Sequence, residues 1–179
     1  IFCAFQAQAQ TTGSGGMTNN CSVTAGGTGG NDFTAVGCGA GKNNTATGYN
    51  NTFYGDSCGY SNTTADDNTY VGYRAGKSNT TGTYNTFVGK DAGLKNTASV
   101  NSFVGWQSGD ANTNGTENVF MGASSGGANT TGQQNVFMGN NAGITNTTGG
   151  QNTCVGNAAD VGSNNLSNAA AIGYNSQVM

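Results

Sequence analysis

The chain has 179 residues, of which only 7% are charged and 34% hydrophobic, with 32 glycines, no proline and a formal net charge of −3. So polar a composition excludes a thick-cored globule, and so little charge and proline argues against ordinary disorder, which leaves a fold of thin stacked layers. Five scattered basic residues, Lys42, Arg74, Lys77, Lys90 and Lys95, form no cluster in the sequence and argue against nucleic-acid binding, and no apolar run is long enough to span a membrane.

Residues 1–10 differ from everything after them. They lack glycine and alternate apolar side chains at Ile1, Cys3, Phe5, Ala7 and Ala9. Two readings stand. Ala7-Gln8-Ala9 fits the small-x-small cleavage site of a secretory signal peptide, and the missing initiating Met suits a remnant of one. Alternatively the segment is a strand that pairs with the exposed edge of a neighbouring subunit. Both place the protein outside the cytoplasm. Residues 11–32, rich in Gly, Thr and Asn, read as a linker or irregular cap.

Residues 33–179 form a repeat domain. Five-residue runs recur as Phe33-Thr34-Ala35-Val36-Gly37, Asn51-Thr52-Phe53-Tyr54-Gly55, Asn85-Thr86-Phe87-Val88-Gly89, Asn118-Val119-Phe120-Met121-Gly122 and so on to Ala169-Ala170-Ala171-Ile172-Gly173. Their closing glycines fall at 37, 55, 72, 89, 105, 122, 139, 156 and 173, successive spacings of 18, 17, 17, 16, 17, 17, 17 and 17. A period this constant predicts an all-β parallel solenoid (β-roll) of about eight to nine rungs, one per unit. Each run reads as a short strand. A small residue and usually a glycine follow it, as in Ala75-Gly76 and Ser108-Gly109, and then an Asn-Thr pair such as Asn79-Thr80 or Asn129-Thr130.

Stacking places like residues over one another at ~4.8 Å. The third run position then builds an aromatic core column from Phe53, Tyr70, Phe87, Phe103, Phe120 and Phe137, while the asparagines form amide ladders between rungs. Alternation turns the fourth position the other way. Its apolar residues Val71, Val88, Val104, Met121, Met138, Val155 and Ile172 call for a second surface, which predicts self-association as a homo-oligomer or filament.

The terminal copy Ala169-Ala170-Ala171-Ile172-Gly173-Tyr174-Asn175-Ser176-Gln177-Val178 resembles the repeat of trimeric autotransporter adhesin heads. The longer units, such as Asn135-Val136-Phe137-Met138-Gly139-Asn140-Asn141-Ala142-Gly143, resemble Asn/Thr/Gly repeats of bacterial surface proteins and phage-type tail fibres. That resemblance covers residues 33–179 and implies a left-handed parallel β-roll, often trimeric, displayed outside the cell.

Chemistry finds little foothold. With no histidine, the base of a nucleophilic triad and the usual zinc ligands are missing, and the carboxylates are dispersed. No enzyme, cofactor or metal is expected. Asp66-Asp67 reads as a solvated turn rather than a calcium site. Cys3, Cys21, Cys38, Cys58 and Cys154 read as buried small hydrophobes or as one or two disulfides.

N-x-S/T sequons occur at nine asparagines, of which Asn62, Asn79, Asn129 and Asn146 share one column, expected at an outward turn and open to N-glycosylation. Tyr73 and Trp106 are expected to face outward, where they either pack on the surface or stack on sugars. Three functions follow: a structural subunit of an extracellular fibre, assembled head to tail; an adhesin or tail-fibre head recognising a surface glycan; or an ice- or surface-binding solenoid using Thr63, Thr80, Thr97, Thr113, Thr130 and Thr147.

Overall fold

Alternation along each run turns the apolar third and fourth side chains to opposite faces, so a thin coil buries the third and leaves the fourth on the outer face. The computed structural model describes residues 22–25, 33–44 and 47–179. The strand or signal-remnant reading of Ile1, Cys3, Phe5, Ala7 and Ala9 lies outside the described residues. Among the described residues twelve short strands form: β1 (Ser22–Ala25), β2 (Phe33–Gly37), β3 (Asn51–Tyr54), β4 (Thr69–Val71), β5 (Thr86–Val88), β6 (Ser102–Val104), β7 (Val119–Met121), β8 (Val136–Met138), β9 (Thr153–Val155), β10 (Asp160–Val161), β11 (Ala170–Ile172) and β12 (Gln177–Val178). There is no helix among the described residues.

β2 to β9 and β11 pair in parallel, in chain order, as nine strands of one sheet. Each strand is one rung of a β-solenoid. The register follows the repeat: Thr69 lies opposite Thr86, Tyr70 opposite Phe87 and Val71 opposite Val88. β10 and β12 make a second, two-stranded parallel sheet at the far end. At the near end β1, inside the segment read as a linker or cap, pairs antiparallel with β2, setting Ser22 opposite Gly37.

The core is one large side chain wide, with small residues such as Ala75 and Ala92 beside it. Phe53, Tyr70, Phe87, Phe103, Phe120 and Phe137 are each 0% exposed. Their ring centroids lie 4.7–5.0 Å apart with planes within 15° of parallel. Rings in contact lie nearer ~3.5–4 Å plane to plane, so the stack is offset, the arrangement a quadrupole prefers to a face-on sandwich. The column tapers at both ends. Ala35 stands opposite Phe53 at one end, with the Phe33 ring packed edge-on to Phe53, and Cys154 and Ala171 follow Phe137 at the other.

Glycine is required where rungs press together. At the run-closing glycines from Gly37 to Gly156, φ is +133° to +140°. A Cβ there would meet the carbonyl oxygen of the next rung at 2.3–2.5 Å. A second glycine set, Gly76, Gly93, Gly109 and Gly126, would drive a Cβ into the aromatic ring of its own rung at 2.4–2.6 Å. These two contacts hold each coil narrow.

The 16-residue rung absorbs its missing residue in a loop. Asn96 and Asn101 stand one residue closer than Asn79 and Asn85. The Ala98 carbonyl therefore accepts the Asn85 and Asn96 side-chain amides that the Gly115 carbonyl takes from Asn101 and Asn112 one rung on. Strand register is untouched, with Phe87 still opposite Phe103.

Candidate functional site

Two internal amide columns flank the aromatic stack. In the first, Asn51, Asn68, Asn85, Asn101, Asn118, Asn135 and Asn152 are buried. Each side-chain oxygen accepts the backbone N–H of its counterpart in the next rung, as Asn118 does from Asn135 at 2.9 Å. Each Nδ2 donates to a loop carbonyl, as Asn118 does to Gly132 at 2.9 Å. The ladder thus runs from backbone to side chain, and serves groups the short strands leave unpaired.

The second column corrects the sequon reading. Asn62, Asn79, Asn129 and Asn146 point inward and are 0% exposed, so they do not form an outward row of glycan acceptors. Their nitrogens are engaged: Asn129 donates to Asn112 Oδ1 at 2.9 Å and to the Gly132 carbonyl at 3.0 Å, and Asn146 donates to Asn129 Oδ1 at 2.8 Å and to the Gly149 carbonyl at 3.0 Å. A sugar on any of these nitrogens would have no space and would break the ladder. The adjoining threonines are engaged as well. Thr97, Thr113, Thr130 and Thr147 donate their hydroxyls to the carbonyl of the residue one rung on, which ties them to the backbone instead of leaving a free hydroxyl array.

The buried cysteines Cys58 and Cys154 are free thiols, Cys58 at the small-residue position that Ala75 takes on the next rung and Cys154 opposite Phe137 in the core column. Burial pushes the Cys58 thiol up to about 12 and the Cys154 thiol up to about 11. Asp66 and Asp67 act as turn acceptors, Asp66 from the Tyr49 N–H at 2.7 Å and Asp67 from the Asn50 amide at 2.9 Å.

Three features face outward. The first is the outer face of the sheet, where the fourth-position column stands beside the outward threonines. Val71, Met121 and Met138 are exposed and Ile172 is 71% exposed.

The second is the turn after each strand. All five basic residues fall one to six residues past a run-closing glycine, so stacking brings together what the sequence scatters. Lys42 and Lys77 lie over the Tyr60 ring at 5.4 and 5.9 Å, from the rungs on either side of it. Arg74 and Lys90 lie over the Tyr73 ring at 5.0 and 5.8 Å. Both also bond Asp91, each at 2.7 Å. Burial pushes the Asp91 carboxyl up, but hydrogen bonds from Arg74 and Lys90 outweigh it and hold the group below the usual carboxylate range. Tyr73 and Trp106 are 45% and 50% exposed. Sequence reasoning missed this cluster because it measured separation along the chain; the phase of each cation within the period was the available signal.

Known proteins add nothing to this geometry. Comparison with protein-family models, curated proteins and solved structures returns no match.

The third outward feature is the last rung. Thr153 N–H donates to the Ala169 carbonyl at 2.8 Å, and Gly173 N–H donates back to the Val155 carbonyl at 2.8 Å. By the same register the Ala170 and Ile172 N–H groups point past the end of the described stack. A Cβ on Gly173 would meet nothing within 4 Å, whereas one on Gly156 would strike the Gly173 carbonyl oxygen at 2.4 Å.

Proposed function

We propose that the chain is a structural, non-enzymatic subunit of an extracellular fibre, in which copies stack end to end. The last rung carries this reading. Among the described residues β11 offers an unpaired parallel edge, and Gly173 keeps the positive φ of +117° that lets the next rung approach elsewhere in the stack. Unpaired strand edges are templates for a further strand. A contact between unlike ends leaves the same two ends free on the enlarged particle, so its repetition builds a filament. The apolar column of the outer sheet face offers a second surface for lateral association. Placement outside the cell rests on residues 1–10, under either of their readings.

Negative-stain electron microscopy with static light scattering tests the proposal. The unaltered chain is expected to form filaments whose axial repeat is roughly 40 Å or more per copy, from rungs ~4.8 Å apart. Ala170→Pro removes an N–H that points away from β9, so it should block elongation while leaving the circular dichroism spectrum intact. Deleting residues 1–10 separates strand donation, which would abolish filaments, from direct edge stacking, which would not. Monomers of the unaltered chain at millimolar concentration would end the fibre reading.

A further inference from the structure

We infer that the turn face around Tyr73, Lys90 and Trp106 binds an acidic polysaccharide laid along the solenoid axis. These three residues immediately follow Gly72, Gly89 and Gly105, so they occupy one position on three successive rungs. The column therefore alternates aromatic, cation, aromatic, with the two aromatic rungs ~9.6 Å apart. Trp106 is the single tryptophan of the chain and is half exposed, with no ring or cation partner among the described residues. An indole left open on so thin a rung presents a flat apolar surface to a ligand.

Charge favours an anion. Lys42, Arg74, Lys77, Lys90 and Lys95 share these turns with only Asp56 and Asp91, until Asp110 follows on the next rung. The ion pairs among the described residues are those of Arg74 and Lys90 with Asp91, and Lys95 lies in the field of Asp110, so Lys42 and Lys77 are the cations there with no carboxylate partner. Successive rungs stand closer than the Debye length of ~8 Å at physiological ionic strength, so their fields add. The turn that precedes each strand has the opposite character, with Asp66, Asp67 and Glu117 and no lysine or arginine. An anion is thereby steered to one side of the rod.

The alternation selects the class of anion. A uronic-acid chain presents an apolar ring face and a carboxylate in each sugar, matching an aromatic that stacks and a cation that pairs. A nucleic acid is best held by an unbroken line of cations beside successive stacking platforms, and here each kind of residue interrupts the other. The face lies on the flank of the stack, so binding there is independent of end-to-end assembly.

Polygalacturonate is the probe and Trp106 emission the readout, with binding quantified by affinity electrophoresis. Saturable binding is expected, weakening as salt rises, with no response to neutral dextran. Trp106→Ala and Lys90→Gln should each weaken binding several-fold while the far-ultraviolet spectrum and melting temperature hold, and Lys95→Gln should weaken it less. Equal binding of dextran, unchanged binding by both Trp106→Ala and Lys90→Gln, or tighter binding of oligothymidylate than of polygalacturonate would each overturn the assignment.

Discussion

The Tyr70 hydroxyl accepts a 2.8 Å hydrogen bond from the side-chain amide of Asn79, taking the proton that the repeat elsewhere gives to an asparagine one rung back. Asn129 and Asn146 donate to Asn112 and Asn129, but Asn62 Oδ1 is buried with no partner. The cause is the single aromatic in the core column that carries a polar atom. Tyr70→Phe removes that acceptor and frees Asn79 to complete the ladder with Asn62. The expected change in unfolding free energy lies between zero and a gain of about 1 kcal/mol, where removing a well-satisfied buried hydroxyl would cost about that much. Urea denaturation measures it. A loss above ~1 kcal/mol would show that the hydroxyl is better placed than its neighbours imply.

Asn118 shows the opposite case, a side chain whose every polar atom is used. It accepts from the Asn135 backbone at 2.9 Å and donates to Gly132 at 2.9 Å, with weaker contacts to the amides of Asn101 and Asn135. Asn118→Ala orphans a buried N–H and opens a cavity, and should cost about 2–4 kcal/mol. Thr86→Ala, on the exposed side of its strand, should stay within about 0.5 kcal/mol. Asn118→Asp should be worse at neutral pH than in acid, because a carboxylate would face the Gly132 carbonyl. Equal costs for Asn118→Ala and Thr86→Ala in chemical denaturation would refute the ladder's role.

The aromatic column was legible in the sequence because a period of 17 fixes phase, and phase is what sets Phe87 against Phe103 and Phe120. The fate of the Asn-Thr pairs was not. Asn129 and Thr130 are adjacent, and turn chemistry alone places both outside. Asn129 instead turns in because two rungs of carbonyl and amide groups need its Nδ2, leaving only Thr130 at the partly exposed surface. The basic face was hidden for a related reason. Lys42 and Lys77 meet on Tyr60 only once the coil has closed twice.

Alkaline pH should weaken the fold through Cys58. Its thiol, ordinarily near 9, is pushed up to about 12 by burial. The folded chain therefore keeps its proton across a range where the unfolded chain has lost it. The sign is fixed: unfolding releases a proton between these values, so stability is level below about pH 9 and falls as pH rises toward 12. Burial raises the Tyr70 phenol too, adding in the same direction. Cys58→Ser should flatten part of this decline. Ser108 and Ser125 hold the same rung position and donate to the Phe120 and Phe137 carbonyls, as Cys58 does to that of Tyr70. Urea midpoints collected across the alkaline range decide it, and parallel curves for the two proteins would remove Cys58 as the source.

Val100 carries backbone strain that the repeat does not need. The residue just before each run from Asn51 onward adopts a left-handed conformation, and Asn50, Glu117, Gln134 and Asn168 fill it with φ between 53° and 58°. At Val100 φ is 61°, a conformation that a β-branched residue adopts at a cost of roughly 1–2 kcal/mol. The side chain is 50% exposed, so little burial offsets the strain. The position sits in the 16-residue rung, whose shortened loop still has to deliver Asn101 in register to bond Asn85 Oδ1 at 2.9 Å. Val100→Asn should therefore stabilise the chain by about 1 kcal/mol and Val100→Gly by less, since glycine also adds freedom to the unfolded chain. The companion change Val104→Asn, on an ordinary extended strand, should not stabilise. Thermal melts of the three variants separate the explanations: a gain at Val100 alone locates the strain in the backbone, and a gain at both would trace it to exposed apolar surface.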